Sequence, residues 1–110
     1  MAATTEYADV EPPRHEVDRL PGPTVLEFGT PWCGYCMSIE PLVAARLAEH
    51  PGVKHVRIED GPGRPLGRSF GVKLWPTFVF LRDGKEAARL VRPRDPSALR
   101  QALQKITAPA

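Results

Sequence analysis

The 110-residue chain predicts an α/β fold: a three-layer sandwich in which a mixed β-sheet carries helices on both faces. Three observations lead to it. The runs Thr24–Phe28 and Thr77–Leu81 are almost wholly apolar, as expected of strands buried on both sides. From the first run the pattern goes strand, helix, strand, which is a βαβ unit with a parallel pair. The second run meets Asp83-Gly84, a two-residue hairpin signal, and then a helix, which makes a ββα unit.

Residues 1–12 read as a polar arm with a possible short strand at Tyr7–Val10. Pro13–Leu20 reads as a short helix ended by Pro21-Gly22-Pro23. After the first core strand, Gly29-Thr30-Pro31 breaks the chain. Gly34–Glu49 turns helical, with Ile39, Leu42, Val43 and Leu47 on one face. Pro41 lies inside that helix and must remove a backbone hydrogen bond, which predicts a kink. Val53–Glu59 is a second strand with Val56 and Ile58 on one face. Gly61–Gly71 has room for one helical turn at Leu66–Phe70. Glu86–Val91 returns antiparallel to Thr77–Leu81. Asp95-Pro96 caps a last helix, whose Leu99, Ala102, Leu103 and Ile106 follow helical spacing.

The divisions expected are an arm over residues 1–21 and one domain over 22–107. Composition is 42% apolar and 25% charged, an ordinary globular balance. No apolar run is long enough to span a bilayer, and the start of the chain lacks the order of a secretory signal. Those features predict a cytoplasmic protein that does not use a membrane. Net charge is +2 but uneven: residues 82–105 hold seven basic side chains against three acids. No basic run interleaved with aromatics points to nucleic acid.

Only two cysteines occur, in Cys33-Gly34-Tyr35-Cys36. A bridge that short restrains little chain, so its value for stability is small. Such spacing reads as redox chemistry or as half a metal site. Cys33-x2-Cys36, then thirteen residues, then His50-x4-His55 even reproduce a zinc-finger spacing, but the cysteines open a helix and Pro51-Gly52 separates the histidines. The expectation is therefore a dithiol with no metal and no cofactor. Cys33, at the helix N-terminus, faces free N–H groups and the positive end of the helix dipole, which favour a nucleophilic thiolate. Cys36, one turn further in, is the resolving thiol, and Gly34 lets a substrate chain approach.

Trp32-Cys33-Gly34-Tyr35-Cys36 with Pro41, together with Trp75-Pro76-Thr77-Phe78, resembles the thioredoxin family over roughly residues 22–107. The resemblance implies a cis-proline loop at Pro76 facing the dithiol, with the backbone of Trp75 pairing with a substrate chain as an added strand. It implies a buried acid at Glu27 that relays the proton Cys36 loses. Replacing that acid by Gln would then relieve a burial cost and stabilise the chain. Arg57 takes the place of a lysine near that acid, as a salt link or as part of a solvated strand face. Trp32 and Trp75 would wall the site, and Tyr35 and Thr77 would border the substrate. Four departures bear on the partner rather than on the chemistry. Tyr35 replaces a proline, Gly29 a tryptophan, Trp75 an Ile or Val, and Arg92-Pro93 a glycine.

The function so implied is that of a thiol–disulfide oxidoreductase, a monomer that reduces protein disulfides. A separate reductase or thiol pool would recycle it. A disulfide oxidant or isomerase, or a protein-binding module on the same fold, are the alternatives.

Overall fold

The computed structural model describes residues 6–109. Eight elements follow one another: α1 Arg14–Val17, β1 Pro23–Gly29, α2 Gly34–Ala48, β2 Lys54–Glu59, α3 Pro65–Ser69, β3 Thr77–Arg82, β4 Lys85–Val91 and α4 Pro96–Thr107. The strands form one mixed sheet in the order β2-β1-β3-β4. β1 pairs parallel with β2 and antiparallel with β3, and β3 pairs antiparallel with β4. This is the α/β sandwich that the two apolar runs and the hairpin signal predict.

Alternation along the strands sorts the core into two layers. Val25, Phe78 and Phe80 point to one face, where they meet Ile39, Val43 and Leu47 of α2 and Leu99, Leu103 and Ile106 of α4. Leu26, Phe28, Ile58, Val79 and Leu81 point to the other face, under Val17 of α1, Leu66 of α3 and Phe70 just after it. Phe28, Phe78 and Phe80 are fully buried, and each stabilises the fold by about 1.5–3 kcal/mol relative to leaving it exposed.

Local chemistry sets the element ends. Asp95 caps α4, its side chain accepting from the Ser97 N–H, and Pro96 begins the helix. Asp83 and Gly84 both take positive φ, 52° and 80°, as a tight β3–β4 hairpin requires. Gly84 has a second reason to be glycine, since a Cβ there would run into the Asp18 backbone. β3 and β4 slip register between Phe80 and Leu81, a bulge with no local warning in the sequence. Pro41 sits inside α2, which nevertheless continues from Gly34 to Ala48.

The arm differs from expectation. Its first five residues lie outside the described residues, and the remainder forms no strand over Tyr7–Val10. Tyr7 makes one parallel bridge to Arg57 on the outer edge of β2, and the Ala8 N–H donates to the Arg57 carbonyl at 2.9 Å. The short helix is also briefer than Pro13–Leu20, covering only Arg14–Val17.

Candidate active site

The dithiol sits where β1 gives way to α2. Cys33 has an extended backbone, φ −75° and ψ 119°, and is the N-cap of α2. Its Sγ accepts a hydrogen bond from the Cys36 N–H at 3.2 Å, so one of the otherwise free N–H groups at the start of the helix is directed at this sulfur. Both thiols are free. Cys33 keeps 7% of its surface exposed and Cys36 none. Burial, and then the hydrogen bond it shares with Cys33, push the Cys36 thiol up to about 12. Cys36 therefore holds its proton at neutral pH and can attack only when a neighbouring base removes it.

Trp32 and Tyr35, on either side of Cys33 in the chain, meet Trp75 and Arg92. The Trp75–Pro76 peptide bond is cis, and Pro76 is buried. Trp32 is 71% exposed and meets Trp75 edge-on, with ring centroids 5.7 Å apart. Trp75 is fixed in turn by its indole N–H, which donates to Asp60 Oδ2 at 2.8 Å. Gly34 is exposed, with open space where a Cβ would be. On the opposite side, the Arg92 guanidinium lies 4.2 Å over the half-exposed Tyr35 ring. A groove of about 340 Å3 runs between them, lined by Tyr35, Ile39, Leu42, Pro76, Arg92 and Arg94.

One residue expected to border the substrate behaves differently. Thr77 is buried and its hydroxyl donates to the Leu74 carbonyl at 2.6 Å, so its side chain holds the loop instead of bordering the groove. The Trp75 carbonyl, which the resemblance offers to a substrate strand, already accepts from Arg92 Nε at 2.7 Å. Arg92 reaches it from a left-handed backbone, φ 49°, with its own N–H on the Pro76 carbonyl at 2.9 Å. This is an uncommon conformation for a residue with a side chain.

Behind the dithiol the sheet is ionic. Glu27 is 1% exposed, and its Oε1 pairs with His55 Nε2 at 2.8 Å. Its Oε2 lies 3.5 Å from Arg57 Nε. The charge of Glu27 also adds to the forces that raise the Cys36 thiol. Arg57, at 4% exposure, is a buried salt link and not a solvated residue. It lies 3.5 Å from Glu40 Oε1 and donates to the Tyr7 hydroxyl at 3.2 Å, with its guanidinium 4.3 Å over the Tyr7 ring. The parallel pairing explains the convergence, because Glu27 is directly opposite Arg57 and therefore on the same face.

Sequence reasoning had no role for Tyr7 and met His55 only through the zinc spacing. His55 is held by Glu27, whereas His50 lines a cleft of about 660 Å3 with Gly22, Asp83 and Ala108 at the other end of β1. Among the described residues no three His, Cys, Asp or Glu side chains are grouped to hold a metal ion. A usable hint of the ionic cluster was present in β2. His55 and Arg57 alternate with Val56 and Ile58, and so share the face of buried Val53.

Comparison with known proteins gives a consistent result. The family model described as Thioredoxin matches residues 11–105. A thioredoxin of Chlamydia muridarum is 34% identical over 85 residues, covering 76% of this chain and 82% of that protein. Thioredoxin H-type 1 of Nicotiana tabacum is also 34% identical, over 78% of this chain and 68% of its own. A protein disulfide-isomerase of Gallus gallus is 35% identical over 78% of this chain, which spans only 18% of that longer protein. Among solved structures, reduced thioredoxin 2 from Pseudomonas aeruginosa PAO1 superposes with a TM-score of 0.83 at 56% identity. The match covers 94% of this chain and 96% of that one.

Proposed function

The chain belongs to the thioredoxin family and is a thiol–disulfide oxidoreductase, and on that premise we propose how its own residues divide the work of reducing a protein disulfide. The observation that carries this division is the asymmetry of the dithiol: one sulfur caps a helix at the surface, and the other is sealed beneath it with a raised pKa.

Cys33 attacks a substrate disulfide. One substrate sulfur bonds to Cys33 Sγ, and the other leaves as a thiolate. The N–H groups at the start of α2 stabilise the negative charge on Cys33 before the attack. Glu27, buried among the groups that face Cys36, then takes the Cys36 proton. The Cys36 thiolate attacks Cys33 Sγ, the Cys33–Cys36 bond forms, and the second substrate thiolate departs. Substrate receives two electrons, and the protein is left as the disulfide. Trp32, Gly34, Tyr35 and the Trp75-Pro76 loop shape the entrance. Each further cycle requires reduction by a separate reductase or thiol pool, which fits a reducing compartment such as the cytoplasm.

Insulin disulfide reduction with an excess of small-molecule dithiol tests the reading. Wild-type protein is expected to accelerate precipitation of the insulin chains, and Cys33→Ser to give only the background rate. A wild-type protein that gives only the background rate would point to protein binding on the same fold, and acceleration that survives in Cys33→Ser would remove Cys33 as the nucleophile. A reduction potential measured against glutathione separates a reductase from an oxidant or isomerase, which the same two sulfurs could serve.

A further inference from the structure

Gly29 ends β1 directly beside the resolving thiol. A Cβ at this position would lie 2.5 Å from Cys36 Sγ and 3.2 Å from the Tyr7 hydroxyl oxygen. The two atoms thus share the small space that glycine leaves open, and the arm, not β1, supplies the side chain that fills it. Tyr7 is held there from two directions: its backbone bridges Arg57 at the sheet edge, and its hydroxyl accepts from Arg57 NH2 at 3.2 Å.

We infer that Tyr7 is a positioning residue for the resolving step, its hydroxyl hydrogen-bonding the Cys36 sulfur as that sulfur becomes a thiolate and linking it to the Arg57 guanidinium. The inference rests on the reading of Cys36 as the resolving thiol. Groups from several segments face this sulfur: Cys33 from the start of α2, Thr30 from the turn before it, Glu27 from β1 and Tyr7 from the arm, with Arg57 of β2 behind Tyr7. Glu27 and Cys33 oppose a charge on Cys36. The Thr30 backbone, hydrogen-bonded to Cys36, opposes them, and the Arg57 charge acts on Tyr7, which stands beside the sulfur.

The chemistry balances without loss of the phenolic proton. The Cys36 S–H bond breaks and its proton passes to Glu27. Cys36 Sγ bonds to Cys33 Sγ, and the bond from Cys33 to the substrate sulfur breaks. Tyr7 is held up at about 12, chiefly by burial, so its hydroxyl remains a donor at any pH where the protein works. It accepts from Arg57 while it donates to sulfur, which is the polarised arrangement that strengthens both bonds.

Dithiobis(nitrobenzoate), an aromatic disulfide with a coloured thiolate product, reads the two steps separately in the full-length reduced protein. The first thiolate released reports attack by Cys33, and the second reports resolution by Cys36. Tyr7→Phe keeps the ring under Arg57 and removes only the hydroxyl. The expected result is an unchanged first phase and a second phase slowed by about tenfold, with its pH–rate profile displaced to higher pH. A second phase identical to wild type in rate and pH profile would overturn the inference. So would an equal slowing of both phases, which signifies a purely structural role. Failure of the first phase in the wild-type protein would instead strike at the redox reading of Cys33 itself.

Discussion

The same strands present two unlike faces. Under α1 and α3 the buried side chains are apolar except for hydroxyls near the strand ends: Leu26, Phe28, Ile58, Val79 and Leu81 meet Val17, Leu66 and Phe70, and Thr24 and Thr77 share their alternation. Under α2 the sheet begins alike, with Val25 and Val53, but towards the dithiol it turns to Glu27, His55 and Arg57. One residue along β1 separates Phe28 from Glu27, and that step separates a surface built for cohesion from one built for moving a proton. Burying ions costs free energy unless each is paired, and here each lies against another. The site end of the sheet is held by ion pairs between close charges, the opposite face mainly by area removed from water.

That contrast can be broken most strongly on the apolar side. Phe28→Ala should lower stability by about 3–5 kcal/mol, read as a shift of the urea midpoint, while the folded fraction keeps its wild-type rate of Cys33 attack. A comparable loss of rate would mean that the two faces are not separable. On the ionic side, Glu27→Gln should slow resolution near neutral pH and cost about 1–3 kcal/mol, because a weaker acceptor now faces His55 and Arg57. The sequence alone predicts the opposite sign for stability, since it shows a buried acid but neither of its partners. A stabilised Glu27→Gln protein would restore that simpler picture.

The smallest effect should appear in alkali. Burial raises the Cys36 thiol from 9.0 to about 12. A pKa raised by folding gives stability that is fully present below the unfolded value and lost as pH climbs through the folded one. The reduced protein should therefore lose stability progressively above pH 9.0, and Cys36→Ala should make that decline shallower. Tyr7, raised from 10.0 to about 12, adds its own decline, so urea midpoints falling equally in wild type and Cys36→Ala would mean that the Cys36 environment is ordinary.

Legibility in the sequence followed distance along the chain. The strands, the hairpin and the capped last helix were readable because each is announced within a few residues: an apolar run, Asp83-Gly84, Asp95-Pro96. The pair Cys33 and Cys36 was readable for the same reason. The partners of Glu27 were not, because His55 is brought to it only by the parallel register of β1 and β2, across 28 positions. Tyr7 was further from reach: a polar arm residue meets Arg57 across 50 positions, in a space defined by what Gly29 lacks. Arg92 was noticed as a departure, yet its grip on the Trp75 carbonyl depends on a left-handed backbone that nothing nearby advertises.

The sulfur of Cys33 is also the atom that starts α2, and this makes the choice of an inactive variant a structural decision. Serine is among the best N-caps and would keep accepting from the Cys36 N–H, so a Cys33→Ser protein should carry an intact first turn. Alanine removes nucleophile and cap together, and unsatisfied N–H groups at a helix start cost about 1 kcal/mol. A trapped or silenced form made with alanine would confound chemistry with fraying of the turn that holds Tyr35 and Cys36. Made with serine, the same experiment isolates the sulfur.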